Sequence, residues 1–440
     1  MRLQLIIIFC LQLVGIINTY AQQQVIPEDP EINFLFNYYE QEGNHSAVTG
    51  GIGTEALTNM APMIQVNVPI DSVHIVNVSL GEDYYSSASS NKIVKYIDES
   101  TRKYLSSASK ADFRYYGNIA YSKRNLERYR TNTYMLGFSK EFDVISSSIG
   151  YGYLKTSKNE NSSFQFKNQL YYDIWKIILP GEFRDSLKTH FREYPMRLGN
   201  SSTDYARDTR ISNTLSLIYT QVINKKLQIA LLSDFVYQYG LLYTPFNRVF
   251  FDDGQYNDTI KVLNSAVDVE LLPNTRYKVP LGIRIHYFPL DFMVVRMRYR
   301  YYFDDFGIRS HTLQVELPVK PSPYLTLFPI IRYYTQTASH YFYEYGTVPV
   351  VEQNVYPLVP AVPYYTSDYD LSAFTNWKYG IGFRYSPLYG LARANIPYTE
   401  KKLLKFKYVD MRYVRYNRSD GLNAWSATID CGFVIETQKK

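Results

Sequence analysis

Residues 292–301 alternate without a break. Met293, Val295, Met297, Tyr299 and Tyr301 fall on one side of an extended chain, and Arg296, Arg298 and Arg300 on the other. A period of two is the signature of a strand whose faces meet different surroundings, and a helix cannot display it. The pattern recurs. Trp377, Tyr379, Ile381, Phe383 and Tyr385 oppose Lys378, Gly380, Gly382 and Arg384, and Trp425 to Ile435 oppose Ser426, Thr428, Asp430 and Glu436. Read in order, the chain offers about 16 candidate strands, near 32–40, 62–70, 73–82, 111–122, 130–139, 144–154, 163–175, 208–222, 227–240, 278–288, 292–303, 310–318, 324–335, 376–386, 403–416 and 424–436. Many reach ten residues. Soluble strands average roughly 5–6, whereas a tilted bilayer-crossing strand needs roughly 9–11.

Connections decide between a soluble sandwich and a membrane barrel. Asp71-Ser72, Asn224 to Lys226, Pro289 to Asp291 and Lys320 to Pro323 read as tight turns, while 41–61, 83–110, 176–207, 241–277 and 336–375 are long. Alternating short and long connections are the habit of outer-membrane barrels. Tyrosine, at 45 residues, crowds strand ends (Tyr84, Tyr85, Tyr301, Tyr302, Tyr333, Tyr334, Tyr385), where interfacial girdles sit. The expected fold is all-β, a transmembrane antiparallel barrel of about 16 strands (14–16) with long external loops. Two segments disturb the rhythm, 140–143 being short and 387–402 long, so the count could shift by two. Apolar faces would then meet lipid, and arginines a wet lumen.

The first 21 residues read as a secretory signal: Arg2, the apolar run Ile6 to Ile17, and small residues Thr19 and Ala21 before a cleavage site. Residues 22–440 follow as one barrel domain. Cleavage leaves Cys431 as the only thiol, so disulfides do not hold the fold. The formal charge of +6 is spread rather than blocked, which does not argue for nucleic acid. Outer-membrane lipid is the expected surrounding, with a small lipoprotein or periplasmic protein as a conceivable partner.

Residues 45–57, HSAVTGGIGTEAL, resemble the opening motif of an uncharacterised domain-of-unknown-function family of Gram-negative outer-membrane barrels. The paired SSAS segments, GLLYTPFNRV (240–249), YYFDDFGI (301–308), RYYTQTAS (332–339) and YYTSDYDLS (364–372) are similar to that family too. The resemblance spans nearly all of the mature chain and is weakest over 140–200. It implies export and a barrel, and it carries no catalytic residues with it.

Several constellations could carry chemistry. Arg296, Arg298 and Arg300 would make an anion-attracting stripe, with Thr312, Gln314 and Glu316 on the neighbouring strand and Lys378 and Arg384 further round the wall. The plainer account is an Arg–Glu ladder that fills the wall, Glu316 lying beside Arg296 or Arg298. Asp252-Asp253, Asp304-Asp305 and Asp368 with Asp370 could bind a hard cation, but turn chemistry explains them equally and no metal or other cofactor is expected. Asp304, Asp305, His311 and His340 could be imagined as a rim protease. A barrel phospholipase would need a serine near a histidine on the lipid-facing wall, but Ser310 and His311 are adjacent and point to opposite faces, and no enzyme is expected. Gly50, Gly51 and Gly53 would let the first long loop fold back into the barrel mouth. Ser86, Ser87 and Ser89 would face Ser106, Ser107 and Ser109 across one hairpin. That seam of small side chains would let a folded loop, the Gly50–Gly53 segment being a candidate, pack on the wall; alternatively it is a hydroxyl-lined mouth.

The leading expectation is a channel with a basic lumen wall partly closed by external loops. A non-conducting barrel that anchors a surface or periplasmic partner is the alternative, with a barrel hydrolase third.

Overall fold

The computed structural model describes residues 29–87, 111–180, 206–252, 267–352, 358–396, 399 and 402–437. The signal segment and the serines at 89, 106, 107 and 109 lie outside the described residues, as do His190 and the 181–193 segment. Eighteen hydrogen-bonded segments, two of them continuations of a neighbour, make a closed antiparallel barrel of 16 strands. In chain order these are β1 (Glu31–Glu42), β2 (Leu57–Pro69), β3 (His74–Ser87), β4 (Ala111–Asn125), β5 (Arg130–Lys140), β6 (Val144–Thr156), β7 (Ser162–Lys176), β8 (Arg207–Asn224) and β9 (Leu227–Gly240). They continue with β10 (Thr275–Leu290), β11 (Met293–Asp304), β12 (Arg309–Glu316, resuming as Val319–Ser322) and β13 (Leu325–Gln336). The last three are β14 (Phe374–Tyr385, resuming as Ala392–Asn395), β15 (Lys402–Arg418) and β16 (Asn423–Thr437).

Each strand pairs with its neighbours in sequence, and β16 pairs with β1 from Glu31↔Val434 to Glu42↔Asn423. Among the described residues, every barrel strand has a neighbour on both sides, which is what a hydrocarbon surrounding demands of a sheet. The strands alternate as their sequence requires. Leu136 (62 %), Ile149 (59 %), Tyr277 (57 %) and Ile381 (55 %) lie outward and bare, a continuous apolar and aromatic belt that water would not tolerate. The polar partners in the alternation line the inside.

Both disturbed connections are real features of a 16-stranded barrel. Residues 141–143 form a tight turn closed by Glu141 N–H donating to Val144 O. Residues 386–401 hold the short resumption of β14, paired with β15 from Ala392↔Phe406 to Asn395↔Leu403. One expected turn moves by a few residues. Val319–Ser322 continues β12 and Ser322 pairs with Leu325, so the reversal falls at Pro323-Tyr324; Pro318, with no N–H, marks the break between the two segments of β12.

At the end of the barrel away from Glu31 and Thr437, three connections pack together. Residues 43–56 contain a single 3₁₀ turn, Ala47–Thr49. Residues 241–274 contribute a two-stranded ribbon, Arg248–Phe250 against Val267–Val269. Residues 337–373 join it through the bridges Phe251↔Val348 and Leu271↔Tyr365. Val249, Phe251, Val348, Leu358 and Tyr365 form a buried apolar cluster that belongs to these connections alone. They are therefore a folded cap with its own core.

Candidate functional site

The inner wall carries a row of cations. Strand register sets Arg284 (β10) opposite Arg298 (β11), Arg298 opposite Gln314 (β12), Gln314 opposite Arg332 (β13), Arg332 opposite Lys378 (β14), and Lys378 opposite Tyr416 (β15). At about 4.8 Å between strands the row runs about 24 Å round the wall. Among the described residues none of Arg284, Arg298, Arg332 and Lys378 has an ion-pair partner, and Arg332 Nε is buried with no acceptor. Like charges set directly opposite weaken a sheet by a few tenths to about 1 kcal/mol a pair, so this row costs stability.

The residues singled out in the sequence divide by partner. Arg296 donates to Glu316 at 2.8 Å, and Arg384 to Asp410 at 2.9 Å, so those two charges are balanced within the wall. Arg298 faces Gln314, and Arg300 faces Thr312. The stripe is thus part ladder and part unpaired row. The row turns along the hydrogen-bonding direction, across strands, rather than down β11 alone.

The cap meets the wall through Arg418 at the end of β15. Its guanidinium donates to Asp370 Oδ1 at 2.5 Å, to the Tyr369 carbonyl at 2.8 Å and to both Asp420 oxygens, and it lies over the Phe374 ring. Gln336 adds two donations, to the Asp370 and Ser372 carbonyls. Within the cap, Arg248 donates to the Val48 carbonyl at 2.7 Å, and the His45 ring stacks on Tyr369 at 3.8 Å while its Nδ1–H reaches Gly51 O.

Gly50 and Gly51 (φ +79° and +87°) permit this seat. A Cβ on Gly50 would stand 2.5 Å from the Phe250 ring, and one on Gly51 2.9 Å from the Ser367 carbonyl. Gly53 bridges His45. The glycine segment therefore packs on 248–250 and 367–369 rather than on the described part of the serine seam. Ser86 Oγ instead meets Thr58 Oγ1 at 2.6 Å across the β2–β3 hairpin, and Ser87 ends β3.

Between cap and wall lies a cavity of about 520 Å³. Arg332, Lys378 and Tyr416 bound it on the wall side, and Glu55, Asp368 and Asp370 on the cap side. Burial raises the Glu55 carboxyl above its usual range against the opposing pull of the His45 N–H. Burial, then the like charges of Asp370 and Glu270, push Asp368 up to about 7. Glu270, enclosed within the cap, is raised by burial although it accepts from Thr366 Oγ1, Thr244 N and Asn247 Nδ2.

The imagined rim protease is not assembled. Asp304 is engaged by Arg276, Tyr302 OH and the Ile308 N–H. His311 points to the outer face, where it meets Tyr299 OH at 2.8 Å, and the His340 backbone N–H donates to Phe306 O. Asp253 lies outside the described residues, and Asp370 is occupied by Arg418. Sequence reasoning passed over Glu55, Arg332, Tyr416 and Arg418. Alternation in 324–335 and 403–416 carried a signal for Arg332 and Tyr416; nothing local marked their partners across the cavity.

The comparison with protein families is decisive at this point, because the match runs over residues 4–390. The chain belongs to the family described as "Protein of unknown function (DUF3570)". No curated protein matches this DUF3570 member. Among solved structures, it is similar to the ferric enterobactin receptor PfeA of Pseudomonas aeruginosa at 10% identity and a TM-score of 0.39, covering 90% of this chain and 54% of that one. It thus spans about half the receptor's length. It is also similar to a bacterial polysaccharide outer membrane secretin (8% identity, TM-score 0.42, 94% and 100% covered). OccK1 (OpdK) of Pseudomonas aeruginosa is a third, at 7% identity and a TM-score of 0.37, with 92% and 98% covered.

Proposed function

We propose that this protein is an outer-membrane channel that favours anions, its mouth partly closed by the cap of three connections. The observation that carries this reading is the unpaired row Arg284, Arg298, Arg332 and Lys378 on the inner wall. A closed structural barrel gains nothing from cations set against one another, and each such pair weakens it. A conduit gains an attractive field, because charged rings lining a pore set which ions enter it. Gln314, in the middle of the row, supplies polarity without a countercharge.

Purified protein in planar bilayers tests this reading. The expected result is a current whose reversal potential in a KCl gradient reports anion preference, and Arg298→Gln with Lys378→Gln moves it toward zero. Absence of current, or a preference that ignores both substitutions, overturns it.

A second reading rests on the cap's buried core of Val249, Phe251 and Val348. Loops with a fixed shape also suit a docking platform, so a silent barrel that co-purifies with a small lipoprotein or periplasmic protein would favour an anchor.

A further inference from the structure

The cavity between cap and wall is asymmetric in charge. Asp370 and Arg418 balance each other at its edge. That leaves Arg332 and Lys378 on the wall and Glu55 and Asp368 on the cap, all four lining one space and none in an ion pair among the described residues. The two carboxyls accept from backbone N–H groups of the cap, whereas the Arg332 and Lys378 side chains make no hydrogen bond among the described residues. The Arg332 guanidinium stands 5.9 Å from the Tyr416 ring centre, and its Nε is buried with nothing to donate to. Glu55 Oε1 accepts from His45 N–H at 2.5 Å, and Asp368 Oδ1 from Asp370 N–H at 2.9 Å. The cations and the carboxyls therefore stay apart, with about 520 Å³ between them. Small-molecule sites run from roughly 300 to 1,000 Å³.

Half-buried charged groups gain from partners, and here each wall lacks what the other holds. A simple anion would satisfy Arg332 and Lys378 but would offer the Glu55 and Asp368 carboxyls, whose ionised form burial disfavours, no cation to ionise against. A simple cation meets the reverse difficulty. A molecule with a carboxylate at one end and an ammonium at the other satisfies both walls at once and leaves the chamber neutral.

We infer that the cavity is a binding site for small zwitterions, amino acids or short peptides, with the carboxylate on Arg332 and Lys378 and the ammonium on Glu55 and Asp368. The inference rests on the channel reading, for which it names the solute class. Tyr39 and Tyr416 close the sides with rings that tolerate varied side chains, so selection acts on the two termini.

Isothermal titration of the full-length protein in detergent with three probes tests the inference: L-alanyl-L-alanine, its N-acetyl form and its C-terminal amide. The expected result is measurable binding of the dipeptide, with at least tenfold weaker binding of each blocked form. Arg332→Gln should weaken the dipeptide and the acetylated form together. Glu55→Gln, in a connection outside the barrel strands, should narrow the gap between those two. Equal binding of the dipeptide and its acetylated form overturns the inference in favour of a plain anion site; no dipeptide binding overturns it outright. The wild-type comparison of probes needs no variant to fold. KCl current without dipeptide binding sinks this inference alone, and binding without current sinks the channel instead.

Discussion

Arg418 and Asp370, 48 positions apart in the chain, meet at 2.5 Å where the last wall hairpin touches the cap. Arg418 is 5% exposed and Asp370 76%, so a buried cation leaves the barrel wall to hold a loop carboxylate at the surface of the lumen. The pair is one of several ties between wall and cap, beside the Gln336 donations and the Phe306–Tyr341 ring contact.

Replacing Arg418 by Gln should release the cap. Asp370 is 76% exposed, so its own share of the pair is about 1 kcal/mol or less. The donation to the Tyr369 carbonyl is lost with it, and Asp420, 11% exposed, is left unpaired, which loosens the edge of the cap. Single-channel conductance should rise and the 337–373 segment should become cleavable by protease, while far-UV circular dichroism still reports an intact barrel. Unchanged conductance and cleavage would show that the tie is dispensable.

Glu316→Gln should act in the opposite sense to neutralising Arg298. It leaves Arg296 without its 2.8 Å partner and adds an unpaired cation beside the row, two residues along β11. Because Arg296 is half exposed, the stability loss is small, about 1 kcal/mol or less, while anion preference in a KCl gradient should increase.

Gly51→Ala should lift the first connection off its seat. A left-handed backbone costs a non-glycine residue roughly 1–2 kcal/mol, and the added methyl would press on the Ser367 carbonyl. Hydrogen exchange should accelerate across 43–56 and stay slow in β1 and β2.

Acidity should tighten the cap. Asp368 sits near 7, and Glu55 and Glu270 are raised in the same direction, so the docked cap binds more protons than the detached loops. Stability then falls as pH rises from the free-carboxyl range through 7. Exchange protection of 337–373 should be on the order of tenfold greater at pH 5.5 than at pH 8, and Asp368→Asn should flatten the dependence. A cap equally protected at both values would contradict this ionisation.

Strand positions were legible because alternation is a local property, and a barrel repeats it sixteen times. The side of the wall on which Arg298, Lys378 and Arg384 fall follows from the same rule. Their partners do not. Arg332 meets Lys378 across a connection of nearly forty residues, and only register in three dimensions aligns them. The cap was harder still. Glu270 with Thr366 joins two connections that carry no period, and Arg418 with Asp370 joins a strand end to one of them. Glycines at 50 and 51 announced a tight fold, but the partner they fold against is set by the 241–274 and 337–373 connections.

The pairing of β16 with β1 has a consequence for the order of assembly. Thr428 donates to Asn37 across 391 positions, so this seam joins the two extremes of the chain and closes late, after the loop-closure entropy of the whole wall has been met. Tyr39 and Gln41 on the first strand and Arg418 beside the last become neighbours only through that event. The His45–Tyr369 stack, which joins the connection after β1 to the one before β14, is therefore a molecular receipt for a finished cylinder.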